Sequence, residues 1–140
     1  MPIEDDDGLR RILGYDRVAV VGASTSYGKA AHIVPAYLKR HGYELRPVNP
    51  TAAEIFDTQA YDSLTDVREP VDTVEVFRPG EEVPGIVARA LTREEVKAIW
   101  LQPGIRNDDA VEKAEANGIE VVQDRCMKVE HGRLIRHPMD

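Results

Sequence analysis

The stretch RVAVVG at residues 17–22 decides the fold class of this 140-residue chain. A short run of apolar residues without alternation is typical of a strand that is buried on both faces of a parallel sheet. Small residues follow as far as Gly28, and a helical pattern then extends from Lys29 to His41, where Gly42 ends it. A buried strand, a loop of small residues and a helix form the first unit of a fold in which strands and helices alternate.

The same alternation continues along the chain. Further apolar runs predict strands at 44–50, 71–77, 97–101 and 119–122, and helical patterns occupy the segments 81–91 and 107–117. Alternating strands and helices form a parallel sheet with helices on both faces, and right-handed crossovers leave few strand orders. We therefore predict an α/β protein, a Rossmann-like three-layer sandwich with a five-stranded parallel sheet in the order 3-2-1-4-5. Pro47 and Pro50 indicate that the second strand ends at the rim of the sheet.

Length and composition are those of one soluble domain. We expect a single domain over residues 1–140, with a lead-in at 1–16 that contains a short helix near Leu9 to Leu13, and a polar tail at 124–140. The acidic N-terminus lacks the features of a signal peptide, no apolar run is long enough to span a bilayer, and Cys126 has no second cysteine. These features predict a cytoplasmic protein. The net charge of −7 argues against a nucleic-acid partner.

The loop after the first strand is the main candidate for a binding site. Its glycines, Gly22 and Gly28, precede a helix whose first N–H groups suit a phosphate, although an ordinary tight turn has the same composition. Their spacing does not fit a dinucleotide fingerprint, the second strand ends at Asn49 and Pro50 rather than at a ribose-binding acid, and no G-K-[ST] motif follows. We expect a ligand with phosphate groups that is neither NAD nor ATP. In the predicted strand order, this ligand lies at the loops that follow Gly22, after the first strand, and Leu101, after the fourth strand.

Five segments of the chain resemble one family, in the same order. They are VAVVGAS (18–24), YLKRHGYELRPVNP (37–50), PVDTVEVFR (70–78), KAIWLQPGIRND (97–108) and GIEVVQDRCMKVEHGRL (118–134). In these segments the sequence is similar to the stand-alone CoA-binding proteins, which are related to the CoA-binding domain of the succinyl-CoA synthetase α subunit. The resemblance covers nearly the whole chain and implies a minimal Rossmann-type domain with coenzyme A across the switch point of the sheet.

The resemblance also implies a set of ligand contacts. The phosphates of coenzyme A would lie on the first loop, the adenine or ribose near the end of the second strand, and the ends of the third and fourth strands would complete the site. The residues at these positions are Gly22, Ala23, Ser24, Ser26, Lys29, Pro47, Asn49, Phe77, Arg78, Gln102 and Gly104. The chain departs from the family pattern at Tyr27, Lys29 and Ala31, where members usually have proline, often have arginine and tend to have serine.

Some polar and aromatic residues have two interpretations. Lys29 and Arg46 suit either the phosphates of coenzyme A or solvated surface positions, and Arg78 suits either a phosphate or an ion pair with an acid. Gln102 would contact polar groups of the ligand or belong to a plain turn. Trp100 is expected in the core, because a large aromatic side chain gains most from burial.

The pattern contains no evident catalytic group or metal site. Cys126 and His131 lie five residues apart in the tail. A reactive cysteine needs a nearby base and partial exposure, so we expect Cys126 to be a partly buried structural residue. The 4 histidines have scattered spacings that do not fit a zinc site.

We therefore predict a small, non-catalytic module that binds coenzyme A or an acyl-CoA. We expect no nucleic-acid partner and no membrane partner. A homodimer or a complex with an unknown protein is possible for such a module. Two alternatives stay open. One is a CoA-domain subunit of an enzyme of the acyl-CoA synthetase type, which would need a second domain. The other is a nucleotide-dependent oxidoreductase, which the missing ribose-binding acid disfavours.

Overall fold

A computed structural model of the protein describes residues 1–135. Within this range the chain forms five α-helices and seven strands. The helices are α1 (Asp6–Leu13), α2 (Ala30–Arg40), α3 (Val83–Ala90), α4 (Asp108–Ala116) and α5 (Met127–Leu134). The strands are β1 (Arg17–Val21), β2 (Glu44–Val48), β3 (Glu54–Ile55), β4 (Thr58–Gln59), β5 (Thr73–Val76), β6 (Ala98–Leu101) and β7 (Glu120–Val122).

Five of the strands form one parallel sheet in the order β2-β1-β5-β6-β7. The predicted α/β fold with a five-stranded parallel sheet is confirmed. The predicted strand order 3-2-1-4-5 is wrong, because β5, the third of these five strands along the chain, pairs with β1 on the side away from β2. β1 therefore neighbours β5 rather than β6, and the switch point of the sheet lies between the first and third strands instead of the first and fourth.

A proline explains why β2 takes the edge of the sheet. Pro47 lies opposite Val20 of β1 and has no N–H with which to pair a strand on its other side. Glu44, at the start of β2, is exposed, whereas all four residues of β5 are buried. A strand that is buried on both faces belongs inside a parallel sheet. The inner position beside β1 is therefore filled by β5.

Helices cover both faces of the sheet, which gives the three layers of the predicted sandwich. α3 and α4 pack on one face, over side chains that include Val74 and Ile99. α1, α2 and α5 pack on the other face, where Trp100 is fully buried and its indole N–H donates to the carbonyl of Arg125 at 2.8 Å. The prediction that Trp100 belongs to the core is confirmed.

One carboxyl group lies inside the protein without a partner. Glu75 in β5 is fully buried, beside Val20 of β1 and Trp100 of β6, and neither of its oxygens accepts or donates a hydrogen bond within residues 1–135. Burial raises the pKa of Glu75 to about 8. The Glu75 side chain is therefore protonated and neutral in the folded protein at pH 7.

Both terminal segments pack against the α2 side of the sheet. α1 contains the short helix predicted near Leu9 to Leu13, and it begins after Asp5, whose carboxylate accepts the N–H of Gly8 at 3.0 Å. The segment predicted as a polar tail forms α5, and an ion pair of 2.9 Å between Arg133 and Asp6 connects α5 to α1. The end of that predicted tail, 136–140, lies outside the described residues. None of the helices between residues 1 and 135 has the length and apolar character needed to cross a bilayer.

The connection between β2 and β5 brings a loop back to the end of β2. It contains the β3–β4 hairpin, after which Tyr61 forms a parallel bridge with Val48. The N–H of Tyr61 donates to the carbonyl of Pro47 at 3.0 Å, and the N–H of Asn49 donates to the carbonyl of Tyr61 at 2.8 Å. This pairing fixes the residues that follow Tyr61 above the carboxyl end of β2, where they border a cleft.

Candidate functional site

A cleft of about 670 Å³ opens at the carboxyl ends of β1, β2 and β5. Its wall combines the loop after β1, the residues after β2, the loop at 62–64 and one side of the segment 81–89, which includes most of α3. The helix after β1 packs on one face of the sheet and the helix after β5 packs on the other. The cleft therefore lies at the switch point of the sheet, where ligands of doubly wound folds bind.

Gly22 turns the chain at the floor of this cleft. Its φ is +89°, a conformation that side chains other than glycine rarely adopt, and its N–H donates to the carbonyl of Val48 at 3.1 Å. A Cβ at Gly22 would lie 2.8 Å from Cδ of Arg78 and 3.3 Å from the carbonyl carbon of Phe77. Gly22 is thus needed both for the turn and for the close approach of the Arg78 stem.

The backbone N–H groups of the loop after Gly22 differ in whether they have an acceptor within residues 1–135. The N–H of Ser24 donates to the carbonyl of Ala31 at 3.1 Å, and the hydroxyl of Ser24 accepts the N–H of Ser26 at 3.0 Å. The N–H of Ala23 donates to no atom of residues 1–135, and Ala23 lines the cleft. Of the three residues predicted to meet the phosphates, Ala23 is therefore the one whose N–H still lacks an acceptor within residues 1–135.

Asn49 connects the loop after β1 to the end of β2. Its side-chain amide donates to the carbonyl of Ala23 at 2.9 Å, and its side-chain oxygen accepts the N–H of Thr51 at 2.8 Å and the hydroxyl of Thr51 at 2.9 Å. All three residues line the cleft. Asn49 thus connects Ala23, through its carbonyl, to the residues that follow β2.

Arg78 follows β5 and crosses the cleft towards the start of α3. Its guanidinium donates two hydrogen bonds to Glu82, from Nε at 3.2 Å and from Nη2 at 2.7 Å. Arg78 holds the pKa of Glu82 below its usual value, and Glu82 raises the pKa of Arg78. Of the two roles considered for Arg78, the structure shows the ion pair with an acid. Both Arg78 and Glu82 line the cleft.

Acidic side chains outnumber basic ones among the described residues that line the cleft. Arg78 and Arg89 line it, together with Asp62, Glu81 and Glu82. Of the two cations, Arg78 already shares the charge of Glu82. An anionic ligand therefore depends on direct contacts with guanidinium and backbone N–H groups rather than on a general positive potential.

The loop after β6, predicted as the second half of the site, is occupied by structural hydrogen bonds. The side chain of Gln102 is buried, and its Oε1 accepts the N–H of Met127 at the start of α5, at 3.0 Å. The N–H of Gly104 donates to the carboxylate of Asp124 at 2.7 Å. Neither Gln102 nor Gly104 lines the cleft.

Other predicted contact residues also lie away from the cleft wall. Lys29 precedes α2 and is exposed, Pro47 is buried in β2, and Phe77 packs with the cluster on the α2 side of the sheet. Arg46 lies 3.9 Å from Glu44 in an ion pair. The structure brings together Gly22, Ala23, Asn49 and Arg78, but it does not bring Ser24, Ser26, Lys29, Pro47, Phe77, Gln102 or Gly104 to the same wall.

The sequence analysis missed the contribution of α3. Glu82, Gly85, Ile86 and Arg89 follow one another at intervals of three, one and three residues, which places them on one side of a helix, and all four line the cleft. This spacing is visible in the sequence. The spacing indicates a ligand site only when β5 is placed next to β1, because that strand order puts α3 beside the switch point.

The thiol and histidine considered for catalysis lie outside the cleft. Cys126 is partly buried, and Nδ1 of His131 is hydrogen-bonded to the hydroxyl of Tyr37 at 2.9 Å. A search of residues 1–135 finds no group of three or more His, Cys, Asp or Glu side chains suited to a metal ion.

A family model for the CoA binding domain matches residues 16–132. The chain belongs to the CoA binding domain family. The uncharacterized protein YneT of Bacillus subtilis is 37% identical over 115 residues, which are 82% of this chain and 84% of YneT. A solved structure described as a hypothetical protein from Pyrococcus horikoshii OT3 is 34% identical, with a TM-score of 0.91 and coverage of 97% of each chain. The family resemblance inferred from the five segments is confirmed.

CoA ligases contain a related region within a much longer chain. Acetate–CoA ligase (ADP-forming) II of Archaeoglobus fulgidus is 29% identical over 102 residues, which are 71% of this chain and 15% of the ligase. The chain thus spans a small part of the length of this relative. The family relationship extends to these enzymes over that part alone.

Proposed function

We propose that this protein binds coenzyme A or an acyl-CoA in the cleft between β1 and β5, as a small module without catalytic activity of its own. The observation that carries the proposal is the position of the cleft in a member of the CoA binding domain family. It lies at the switch point, it is lined by the open N–H of Ala23, and its volume of about 670 Å³ falls within the usual range for ligand pockets.

The geometry suits a phosphate at the end of β1. Ala23 and Arg78 both line the cleft beside the turn at Gly22, and they have a backbone N–H and a guanidinium as donors. We propose that they bind the diphosphate, with Arg78 exchanging its carboxylate partner for a phosphate oxygen, since a planar guanidinium pairs equally well with both groups. Asn49 and Thr51 would then border the ribose or adenine.

The absence of catalysis is part of the proposal. Among residues 1–135 the cleft lining contains no histidine, cysteine or lysine. Its hydroxyl groups, on Thr51 and Ser63, are hydrogen-bonded to Asn49 and Thr65 rather than to a general base, so they lack the partner that activates a nucleophile. The single cysteine fits a reducing compartment, and we propose that the protein acts in the cytoplasm, without a nucleic-acid or membrane partner.

Isothermal titration calorimetry with coenzyme A, acetyl-CoA, NAD and ATP tests the binding. We expect one coenzyme A per chain and affinity at least about tenfold weaker for NAD and ATP, because neither carries both the phosphate pattern and the pantetheine arm. Binding of NAD as tightly as coenzyme A, or no binding of coenzyme A at all, would contradict the proposal. Incubation of the pure chain with acetyl-CoA should give no turnover.

A second candidate is a CoA-binding subunit of an acyl-CoA ligase. The similarity to acetate–CoA ligase (ADP-forming) II over 71% of this chain favours it. In that case the pure chain would bind coenzyme A and stay inactive with ATP and acetate, and activity would appear only when separate ligase chains were added. Ligase activity of the chain alone would exclude a non-catalytic module.

A further inference from the structure

The two arginines in the cleft differ in their partners. Arg78 is held by Glu82 through two hydrogen bonds. The side chain of Arg89 makes no hydrogen bond or ion pair with any group of residues 1–135, although it lines the same cleft. Among the described residues that line the cleft, Arg89 is thus the cation whose donors are all available to a ligand.

Arg89 lies at the far end of α3 from Arg78. Arg89 lies seven positions after Glu82, the partner of Arg78. At a rise of about 1.5 Å per residue, the two positions lie roughly 10 Å apart along the helix axis. This distance separates the backbone positions. The Arg89 guanidinium turns back towards Glu82, whose pKa its charge helps to lower, and gives this wall a second guanidinium beside that of Arg78.

A glycine directs the Arg89 side chain along the helix. A Cβ at Gly85 would lie 3.3 Å from Nη1 of Arg89. Because Gly85 has no side chain, the guanidinium lies directly over the helix backbone one turn earlier, on the cleft side. A larger residue at Gly85 would push the guanidinium away from this position.

Because the cleft is lined by acidic side chains, a phosphate there needs a cation beside it, and Arg89 has no hydrogen-bond partner of its own within residues 1–135. Asp62, Glu81 and Glu82 line the same cleft and would repel a second phosphate that lacked a cation of its own. The ligand proposed above carries phosphate at two places, the diphosphate and the 3′-phosphate on the ribose. The first is assigned to Ala23 and Arg78, which leaves the second for Arg89.

We propose that Arg89 binds the 3′-phosphate of coenzyme A and so distinguishes coenzyme A from dephospho-CoA. This inference rests on the proposed function, and it adds the group by which the protein selects its ligand. A charge-assisted contact between a guanidinium and a phosphate is directional and strong, so its loss affects one ligand and not the other.

The matched control is Arg40. Like Arg89, it is an exposed arginine in the last turn of a helix, and it does not line the cleft. Arg40→Gln therefore removes the same charge and the same favourable interaction with a helix C-terminus as Arg89→Gln. A purely structural role of Arg89 would show equally for both ligands.

Calorimetry on the wild type, Arg89→Gln and Arg40→Gln, each with coenzyme A and with dephospho-CoA, tests the inference. We expect the wild type and Arg40→Gln to bind coenzyme A about tenfold more tightly than dephospho-CoA, and Arg89→Gln to bind the two equally. Equal affinities in the wild type, or an unchanged preference in Arg89→Gln, would overturn the role of Arg89 while leaving CoA binding intact. If the wild type bound neither ligand, the proposed function itself would fail.

Discussion

Two loops leave the same edge of the sheet, one after β1 and one after β6, and only the first opens onto the cleft. Both contain a glycine with positive φ, +89° at Gly22 and +81° at Gly104. In the loop after β1, Ala23 lines the cleft and its N–H has no acceptor within residues 1–135. In the loop after β6, Gln102 and Gly104 are bonded to Met127 and Asp124.

Glycine content alone therefore does not identify a loop that binds a ligand. What distinguishes the two loops is whether their polar groups already have partners. α5 closes the loop after β6, because Gln102 accepts the first N–H of that helix. α2 contacts the loop after β1 through Ser24, which pairs with Ala31 and His32, but no group of residues 1–135 accepts the N–H of Ala23.

The largest expected effect concerns the fold that carries both loops. The pKa of Glu75 is raised from 4.5 to about 8 by burial. The folded state therefore keeps a proton that the unfolded chain loses, and the free energy of unfolding falls as pH rises through this window, by up to about 1.4 kcal/mol per pH unit. Urea unfolding of the wild type and Glu75→Gln between pH 5 and pH 9 measures it, and the variant should lack this slope. An equal slope in both proteins would show that Glu75 is not protonated in the fold.

The next effect separates the two glycines. Gly22→Ala and Gly104→Ala impose similar backbone strain, of about 1–2 kcal/mol each. A Cβ at Gly22 also meets the stem of Arg78 at 2.8 Å, whereas a Cβ at Gly104 meets nothing within 4 Å. We expect Gly22→Ala to weaken coenzyme A binding by about a hundredfold and Gly104→Ala to leave it within about threefold, by calorimetry on variants that circular dichroism shows to be folded. Similar losses of coenzyme A affinity in both variants would contradict the view that only the loop after β1 contacts the ligand.

A smaller effect tests the structural role of the loop after β6. Gln102→Leu removes the acceptor of the Met127 N–H inside the protein and leaves that donor unsatisfied. An unpaired buried donor costs about 1–3 kcal/mol, so the urea midpoint should fall while the affinity for coenzyme A stays unchanged. A tenfold loss of affinity for coenzyme A, in a variant as stable as the wild type, would show that Gln102 contacts the ligand.

The smallest effect is expected at Lys29. It is exposed and lies outside the cleft wall, so it acts on the ligand only through long-range attraction. Lys29→Ala should weaken coenzyme A binding by no more than about threefold at low salt, and less at high salt, because ions screen exposed charges. Loss of tenfold or more, independent of salt, would mean that Lys29 contacts the phosphate directly.

The sequence predicted the parts of the molecule that follow from local patterns. Buried apolar runs fixed the five strands of the parallel sheet, and the family segments indicated the CoA binding domain. The strand order was wrong because it depends on which edge of β1 receives β5, and the proline of β2 was not used to decide it. Arg89 was missed for the same reason, since its cleft exists only in the observed order. The partners of Gln102 and Gly104 depend on α5, whose position no local pattern indicates.

Backbone amide chemical shifts during a titration with coenzyme A test the central claim most directly. The claim is that the ligand lies between β1 and β5 and leaves the loop after β6 untouched. It predicts large shifts at Ala23, Thr51 and Gly85, which line the cleft, and negligible shifts at Gly104 and Gln102. Saturable shifts centred on Gly104 and Gln102, with Ala23 and Gly85 unmoved, would contradict it.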